Sequence, residues 1–192
     1  MVKDLKYSLI FFLINTKLRF VLLLFFIINR AFLIDAFAQN DLSKEGLPDF
    51  QLVSLNGEII ENTDLVGKVV VIDFWATWCA PCIKSFPSMI EVQKSFEDND
   101  DVFFLYVNTL EFEGRDEKFI DDFLKTKGIK ITIYLDRLAS NNELFSEKLG
   151  ISSLPFKIII DKSGIIRFSE AGFLDDTEKF KSNLKSKIES LL

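Results

Sequence analysis

The chain contains no histidine. That absence removes zinc and copper centres built on imidazole, and every catalytic triad or dyad that uses histidine as its base. Cysteine is nearly as scarce, with two residues in 192. A four-thiolate zinc or iron-sulfur site within one chain is therefore excluded, and only a metal shared between two copies, two cysteines from each, stays open. Positive charge is also in short supply. The formal net charge is -6, and setting aside residues 1–38 takes away five basic and two acidic side chains, leaving 18 Lys and Arg against 27 Asp and Glu, or -9. No basic tract offers to neutralise phosphates, so nucleic acid is not an expected partner. Internal repeats and domain-separating linkers are lacking too, and one folded domain is expected, with the 21 phenylalanines serving core and leader rather than a cofactor.

Long apolar runs are missing as well. The longest is the nine residues from Phe20 to Ile28, preceded by Lys3, Lys6, Lys17 and Arg19 and followed by the small-x-small pattern Ala36-Phe37-Ala38. Basic flank, short apolar core and peptidase-like end read as an export signal cleaved after Ala38. The alternative is an uncleaved membrane anchor over Phe20 to Ala38, although Asn29, Arg30 and Asp35 interrupt the run of about 20 apolar residues that a span requires. Residues 1–38 are accordingly assigned to a signal peptide or N-terminal membrane anchor, and residues 39–192 to the folded domain. Either reading puts the domain in the periplasm or another extracytoplasmic space, where disulfides persist.

What is present is a pattern of alternating elements. Asn56-Gly57 sits between two short apolar runs, as in a β-hairpin. Residues 67–76, "GKVVVIDFWA", form a nearly continuous apolar strand of the kind covered on both faces. A helix follows from about Cys79, with Ile83, Phe86, Met89, Ile90 and Phe96 at helical spacing and Pro87 predicted to kink it. Then come a strand "DVFFLYVNTL", a helix placing Phe119, Ile120, Phe123 and Leu124 on one face and ended by Gly128, and a strand "IKITIYLD". A helix around "NNELFSEKLG", the strands "FKIIID" and "IIRFSEAG", and a last helix from Asp175 complete the chain. Parallel crossovers early and an antiparallel hairpin late imply an α/β fold: one mixed central sheet flanked by helices, with an N-terminal β-hairpin extension.

The two cysteines, Cys79 and Cys82, lie where the central strand gives way to a helix. A disulfide closing a loop of two intervening residues is a poor structural staple, so function explains the pair better than stability. With Cys79 at the helix N-terminus, free backbone N–H groups and the helix dipole stabilise its thiolate and make it the nucleophile. Cys82, less than a turn on, is close enough to attack a mixed disulfide and release the partner. Pro81 suits a first helical turn, which has no internal hydrogen bond for its missing N–H to break, and the Ala80-Pro81 dipeptide bears on thiolate stability and redox potential. Asp73 is a lone acid in the apolar strand. Buried and unpaired, it is expected to have a raised pKa and to accept the proton of Cys82, with a merely solvated strand-end aspartate as the alternative. Trp78 adjoins the nucleophile and is the candidate for partner contact, whereas Trp75 belongs to the core. Pro155 precedes a strand, where it either avoids a missing ladder donor or, as a cis proline beside the cysteines, exposes the main chain of Leu154 to an extended substrate segment.

The segment "DFWATWCAPC" resembles the active-site signature of the thioredoxin superfamily, and "LPDFQLVSLNG", "GKVVVIDFWATWCAPCIKSFP" and "GISSLPFKIIIDKSGII" together resemble the TlpA and ResA kind of membrane-associated or periplasmic thioredoxin-like protein. The resemblance covers about residues 46–190 and implies a thioredoxin fold, Cys79 as attacking and Cys82 as resolving cysteine, Asp73 as the buried acid, and a cis Pro155 opposite the disulfide. Two positions depart from it. Ser85 stands three residues beyond Cys82, where ResA-type proteins commonly have glutamate, and Phe156 follows the proline where threonine is common.

The expected function is protein thiol-disulfide exchange through the WCAPC motif, as a reductant of envelope clients with a role in cytochrome c maturation. Substrate contacts are expected at Trp78, Pro81, Leu154 and Pro155. The expected partners are client proteins with disulfides or thiols and a membrane electron-transfer protein that re-reduces the dithiol; a monomer without metal or other cofactor is expected. Two alternatives belong to other classes. "LPDFQL" and the cysteine segment also resemble peroxiredoxins, but their PxxxTxxC pattern fails, with Ile72 and Ala76 at its proline and threonine positions. A non-catalytic envelope binding module of the same fold is the other.

Overall fold

A computed structural model describes residues 45–136, 144–173 and 175–192. The signal or anchor segment lies outside the described residues, and among those that are described no helix is long and apolar enough to cross a membrane.

The N-terminal hairpin pairs β1 (Gln51–Ser54) with β2 (Ile59–Glu61) antiparallel. Its turn needs a residue at positive φ, supplied by Gly57 at 84°, and the Ser54 hydroxyl accepts from the N–H groups of Asn56 and Glu58. A short 3-10 helix, Asn62–Leu65, leads to β3 (Val69–Trp75). Then follow α1 (Ala80–Lys94), β4 (Val102–Asn108), α2 (Glu117–Lys127), β5 (Ile133–Leu135), α3 (Phe145–Lys148), β6 (Phe156–Ile160), β7 (Ile166–Ala171) and α4 (Thr177–Glu189).

The strands form one seven-stranded sheet in the order β2-β1-β5-β4-β3-β6-β7. β3 runs parallel to β4, and β4 to β5, whereas β6 is antiparallel to both β3 and β7. With a neighbour on each edge and a packed layer on each face, all seven residues of β3 are buried. That is why this strand reads as a continuous apolar run rather than an alternating one.

Its two faces feed two cores. Val69, Val71 and Trp75 join Phe86, Met89 and Val92 of α1, Ile120 and Leu124 of α2, and Phe180, Leu184 and Ile188 of α4. Val70, Ile72 and Phe74 join the hairpin residues Phe50, Leu52 and Ile60 together with Phe145 and Leu149. The mixed α/β architecture and the hairpin extension are those that the residue pattern predicts.

Local details differ from the sequence reading. Of the four apolar residues placed on one face of α2, Ile120 and Leu124 are buried, but Phe119 is 42% exposed. A helix offers the core a stripe little wider than about 100°, and Phe119 falls outside it, under the guanidinium of Arg115. The strand predicted over residues 129–136 shortens to Ile133–Leu135.

Candidate active site

The end of β3 and the start of α1 are one continuous piece of chain. Cys79 is the N-cap residue of α1, with extended backbone, and its sulfur accepts from the N–H of Cys82 at 3.3 Å. Pro81 occupies the second helical position, where its lack of an N–H costs nothing. The two sulfurs are joined as a disulfide, with the Cα atoms 5.3 Å apart. Cys79 retains 2% of its exposure and Cys82 none, so whatever approaches from solvent meets Cys79 first. Trp78, Ala80 and Pro81 form an exposed rim around it.

Trp78 is not free to swing. Its indole N–H donates to the carbonyl of Leu110 at 2.7 Å, and its ring stacks on Phe112 with centroids 5.5 Å apart. Both rings remain largely exposed, at 40% and 57%, which makes them an apolar surface beside the disulfide. Trp75, by contrast, is fully buried and meets Phe86 edge-on at 5.1 Å.

The loop after β4, "TLEFEGR", holds this segment in place, and no sequence signal pointed to it. Glu111 accepts from the backbone N–H and the hydroxyl of Thr77 and from the side-chain amide of Asn108. Arg115 donates to the Thr77 hydroxyl at 2.6 Å while its guanidinium lies over the rings of Phe112 and Phe119. Thr77 stands two residues before Cys79, so this carboxylate fixes the approach to the cysteine pair. Only an arrangement of three separate segments reveals it.

Asp73 is fully buried at the centre of β3, on the face that carries Val71 and Trp75 beneath α1. Phe86, one turn beyond Cys82, covers Trp75 and also meets Tyr106, the β4 neighbour of Asp73. The acid therefore lies under the first turns of the helix that bears the cysteines. The expectation that Asp73 is unpaired requires correction. The antiparallel register of β3 and β6 sets Lys157 directly opposite it, with Nζ 3.1 Å from Oδ1. Burial still dominates and raises the Asp73 pKa above the usual carboxylate value, with the Lys157 charge pulling the other way.

The β3–β6 register also positions the proline. Phe156 pairs with Phe74, so Leu154 and Pro155 lie at the end of β3 from which the cysteine loop departs. The Leu154–Pro155 bond is cis, as the resemblance implies. Leu154 precedes the ladder and packs against both cores, while the Pro155 carbonyl accepts from Gly172 at 2.7 Å. Phe156 is partly buried against the second core, so this bulky side chain packs inward.

Ser85 is completely buried, and its hydroxyl donates to the carbonyl of Cys82 at 2.8 Å. A hydroxyl tied to the backbone brings no acid to the site. The structure thus gathers Cys79, Cys82, Trp78 and Pro81 at one helix start, places Leu154 and Pro155 at the adjoining strand end, and sets Asp73 one layer below.

Comparison with known proteins gives this arrangement a family. The Redoxin family profile matches residues 42–188. The chain is 33% identical over 130 residues to the thiol-disulfide oxidoreductase ResA of Bacillus subtilis, covering 67% of this chain and 68% of that one. To ResA of Geobacillus thermodenitrificans it is 32% identical over 144 residues, or 75% of each chain. Among solved structures, the exposed lipoprotein thioredoxin Etrx1 of Streptococcus pneumoniae superposes with a TM-score of 0.58 at 28% identity, over 75% of this chain and 100% of that one. A seven-stranded mixed sheet flanked by helices, a WCAPC segment opening a helix and these similarities agree, and the chain belongs to the Redoxin family as a TlpA/ResA-like member of the thioredoxin superfamily.

Proposed function

We propose that this protein is a thiol-disulfide oxidoreductase that reduces disulfides in client proteins outside the cytosol. The observation that carries the reading is the Cys79–Cys82 pair itself: an N-cap cysteine bonded to a buried cysteine one turn on. In the reduced protein the Cys79 thiolate, favoured by the helix N-terminus, attacks a client disulfide and displaces one client sulfur as a thiolate. Asp73 takes the proton of Cys82. The Cys82 thiolate then attacks the Cys79 sulfur, forming the intramolecular disulfide and expelling the second client thiolate. Two electrons pass to the client, and the dithiol leaves oxidised. A membrane electron-transfer protein that attacks the same disulfide would restore the dithiol.

Trp78 and Pro81 on the rim, and the Leu154 main chain ahead of β6, are the surfaces that an extended client segment would touch. The ResA relatives, named as thiol-disulfide oxidoreductases, support the exchange chemistry, and cytochrome c maturation is the client pathway proposed for it. Ser85 removes one acid associated with ResA-type proteins, which leaves Asp73 as the proton acceptor within this site.

The test of the clients is capture. Cys82→Ser protein expressed in its own cell envelope is expected to accumulate mixed disulfides through Cys79, and finding apocytochrome among the captured proteins supports maturation. Capture of none but unrelated secreted proteins would contradict it. Asp73 is tested by rate: Asp73→Asn is expected to slow resolution of the mixed disulfide by about 10²-fold at pH 7, with formation almost unchanged. Stopped-flow traces in which both steps match the wild type would remove Asp73 from the mechanism.

A further inference from the structure

The exposed aromatic side chains among the described residues all lie in one place. They are Trp78, Phe112 and Phe119, while every other ring in those residues is buried or partly covered. Trp78 adjoins Cys79, Phe112 stacks on Trp78, and the Arg115 guanidinium lies 4.9 Å from the Phe112 ring and 5.1 Å from that of Phe119. The row leaves the disulfide, follows the loop after β4 and ends in the first turn of α2. Apolar side chains gathered in one exposed patch mark a contact surface, whereas singly scattered ones need no explanation.

The patch is held rigidly. Leu110 has φ 53°, the one positive value at a residue other than glycine among the described residues, and its carbonyl accepts from the Trp78 indole. A leucine kept in the left-handed region is strained, and such strain persists only where the surrounding structure imposes it, most often at functional sites. Glu111 and Arg115 then tie the loop to Thr77. Rings fixed in this way lose little freedom when something docks on them.

Charge narrows the occupant. Arg115 is already engaged, with Glu111 3.5 Å away and the Thr77 hydroxyl accepting from it at 2.6 Å. The exposed residues beside it, Glu113 and Asp116, are acidic, and residues 39–192 carry 18 basic against 27 acidic side chains. That charge opposes an anionic lipid surface and a second copy of this chain alike, but not an apolar side chain. A client attacked by Cys79 presents its cysteine beside Trp78, so the residues next to that cysteine are the ones that reach Phe112.

We propose that Phe112 is a specificity-determining residue: with Trp78 and Phe119 it forms an aromatic strip that takes a large apolar side chain flanking the client cysteine. The inference rests on the reading of Cys79 as the nucleophile toward client disulfides. The flanking side chain lies within about three residues of the cysteine, because an extended segment advances about 3.3 Å per residue and the Phe112 ring stands 5.5 Å from that of Trp78.

The experiment uses the reduced full chain and short serine-rich peptides, each with one cysteine carried as a mixed disulfide with nitrothiobenzoate. The Cys79 thiolate attacks the peptide sulfur and forms the protein–peptide disulfide, while nitrothiobenzoate leaves as a coloured thiolate. Test peptides place phenylalanine one, two or three residues to either side of the cysteine, and the control has serine there. The reporter is common to all, so the ratio of rates reads the flanking residue alone. At the best position the phenylalanine peptide is expected to react about tenfold faster than the control, the size of an aromatic contact with its buried area. Phe112→Ser is expected to cut that ratio to about twofold or less, and Phe112→Leu, which keeps an apolar surface, to retain most of it. Equal rates for test and control peptides, or a ratio that Phe112→Ser leaves intact, overturn the strip while the exchange reaction stands. Failure of every peptide to release colour overturns the exchange reading and this inference with it. Sedimentation and flotation with phosphatidylglycerol vesicles test the other occupants: a dimer that Phe112→Ser dissociates, or vesicle binding that it abolishes, overturns the proposal. Circular dichroism checks that each variant folds, and Phe112→Gln replaces the serine variant if that one does not.

Discussion

Cys79→Ser is expected to lower the rate of client-disulfide reduction by roughly a thousandfold or more, while Cys82→Ser still performs the first step and stops there. The difference follows from position. Cys79 caps α1 and keeps the pair's small exposure, whereas Cys82 is wholly buried in the first turn. A serine hydroxyl at the cap stays protonated and is a far weaker nucleophile than a thiolate, so the first bond does not form. With Cys82→Ser the first bond forms but nothing is placed to break it. Mass spectrometry after alkylation reads both outcomes: no adduct with Cys79→Ser, and a stable one-to-one mixed disulfide with Cys82→Ser. Loss of the disulfide should cost the fold little, because the loop it closes is so short. A Cys79→Ser protein that still reduces clients at the wild-type rate would place the chemistry elsewhere.

Phe86→Ala is expected to destabilise the fold by about 3–5 kcal/mol. The ring is fully buried, edge-on to both Trp75 and Tyr106, and stands one turn beyond Cys82. Its removal opens a cavity between α1 and the central strands that rigid neighbours fill only in part. For a domain whose total stability is of order 5–15 kcal/mol, such a loss is large. Urea unfolding followed by tryptophan emission measures it. A change below about 1 kcal/mol would mean that the α1–sheet contact is looser than these ring distances imply.

Most of the element order was legible because burial imposes periodicity. β3 announces itself as a continuous apolar run, and α2 by its apolar spacing, which holds for Ile120 and Leu124, and by Gly128, which ends it at φ 67°. The cysteines, the proline at the helix start and the later Pro155 were legible because their spacing is local. Lys157 was not. Asp73 and Lys157 each look like a single misplaced charge in an apolar strand, and only the antiparallel β3–β6 register pairs them. Two unexplained charges in two central strands were the available signal. Glu111 and Arg115 left no such trace, since a loop has no period and their shared partner, Thr77, belongs to another segment. Phe119 was misplaced for the opposite reason: its spacing fits a buried stripe, but Arg115 supplies a partner at the surface.

The central claim is that Cys79 and Cys82 form a reversible two-electron couple poised to reduce clients. Equilibrating the full chain with graded ratios of oxidised to reduced dithiothreitol or glutathione, and counting free thiols by alkylation and mass, tests it directly. The account predicts one transition in which both cysteines change together, with a tenfold change in the equilibrium ratio for about every 30 mV, at a potential on the reducing side near that of thioredoxin, about -270 mV. Thiols that titrate separately, or a couple as oxidising as about -120 mV, would contradict it.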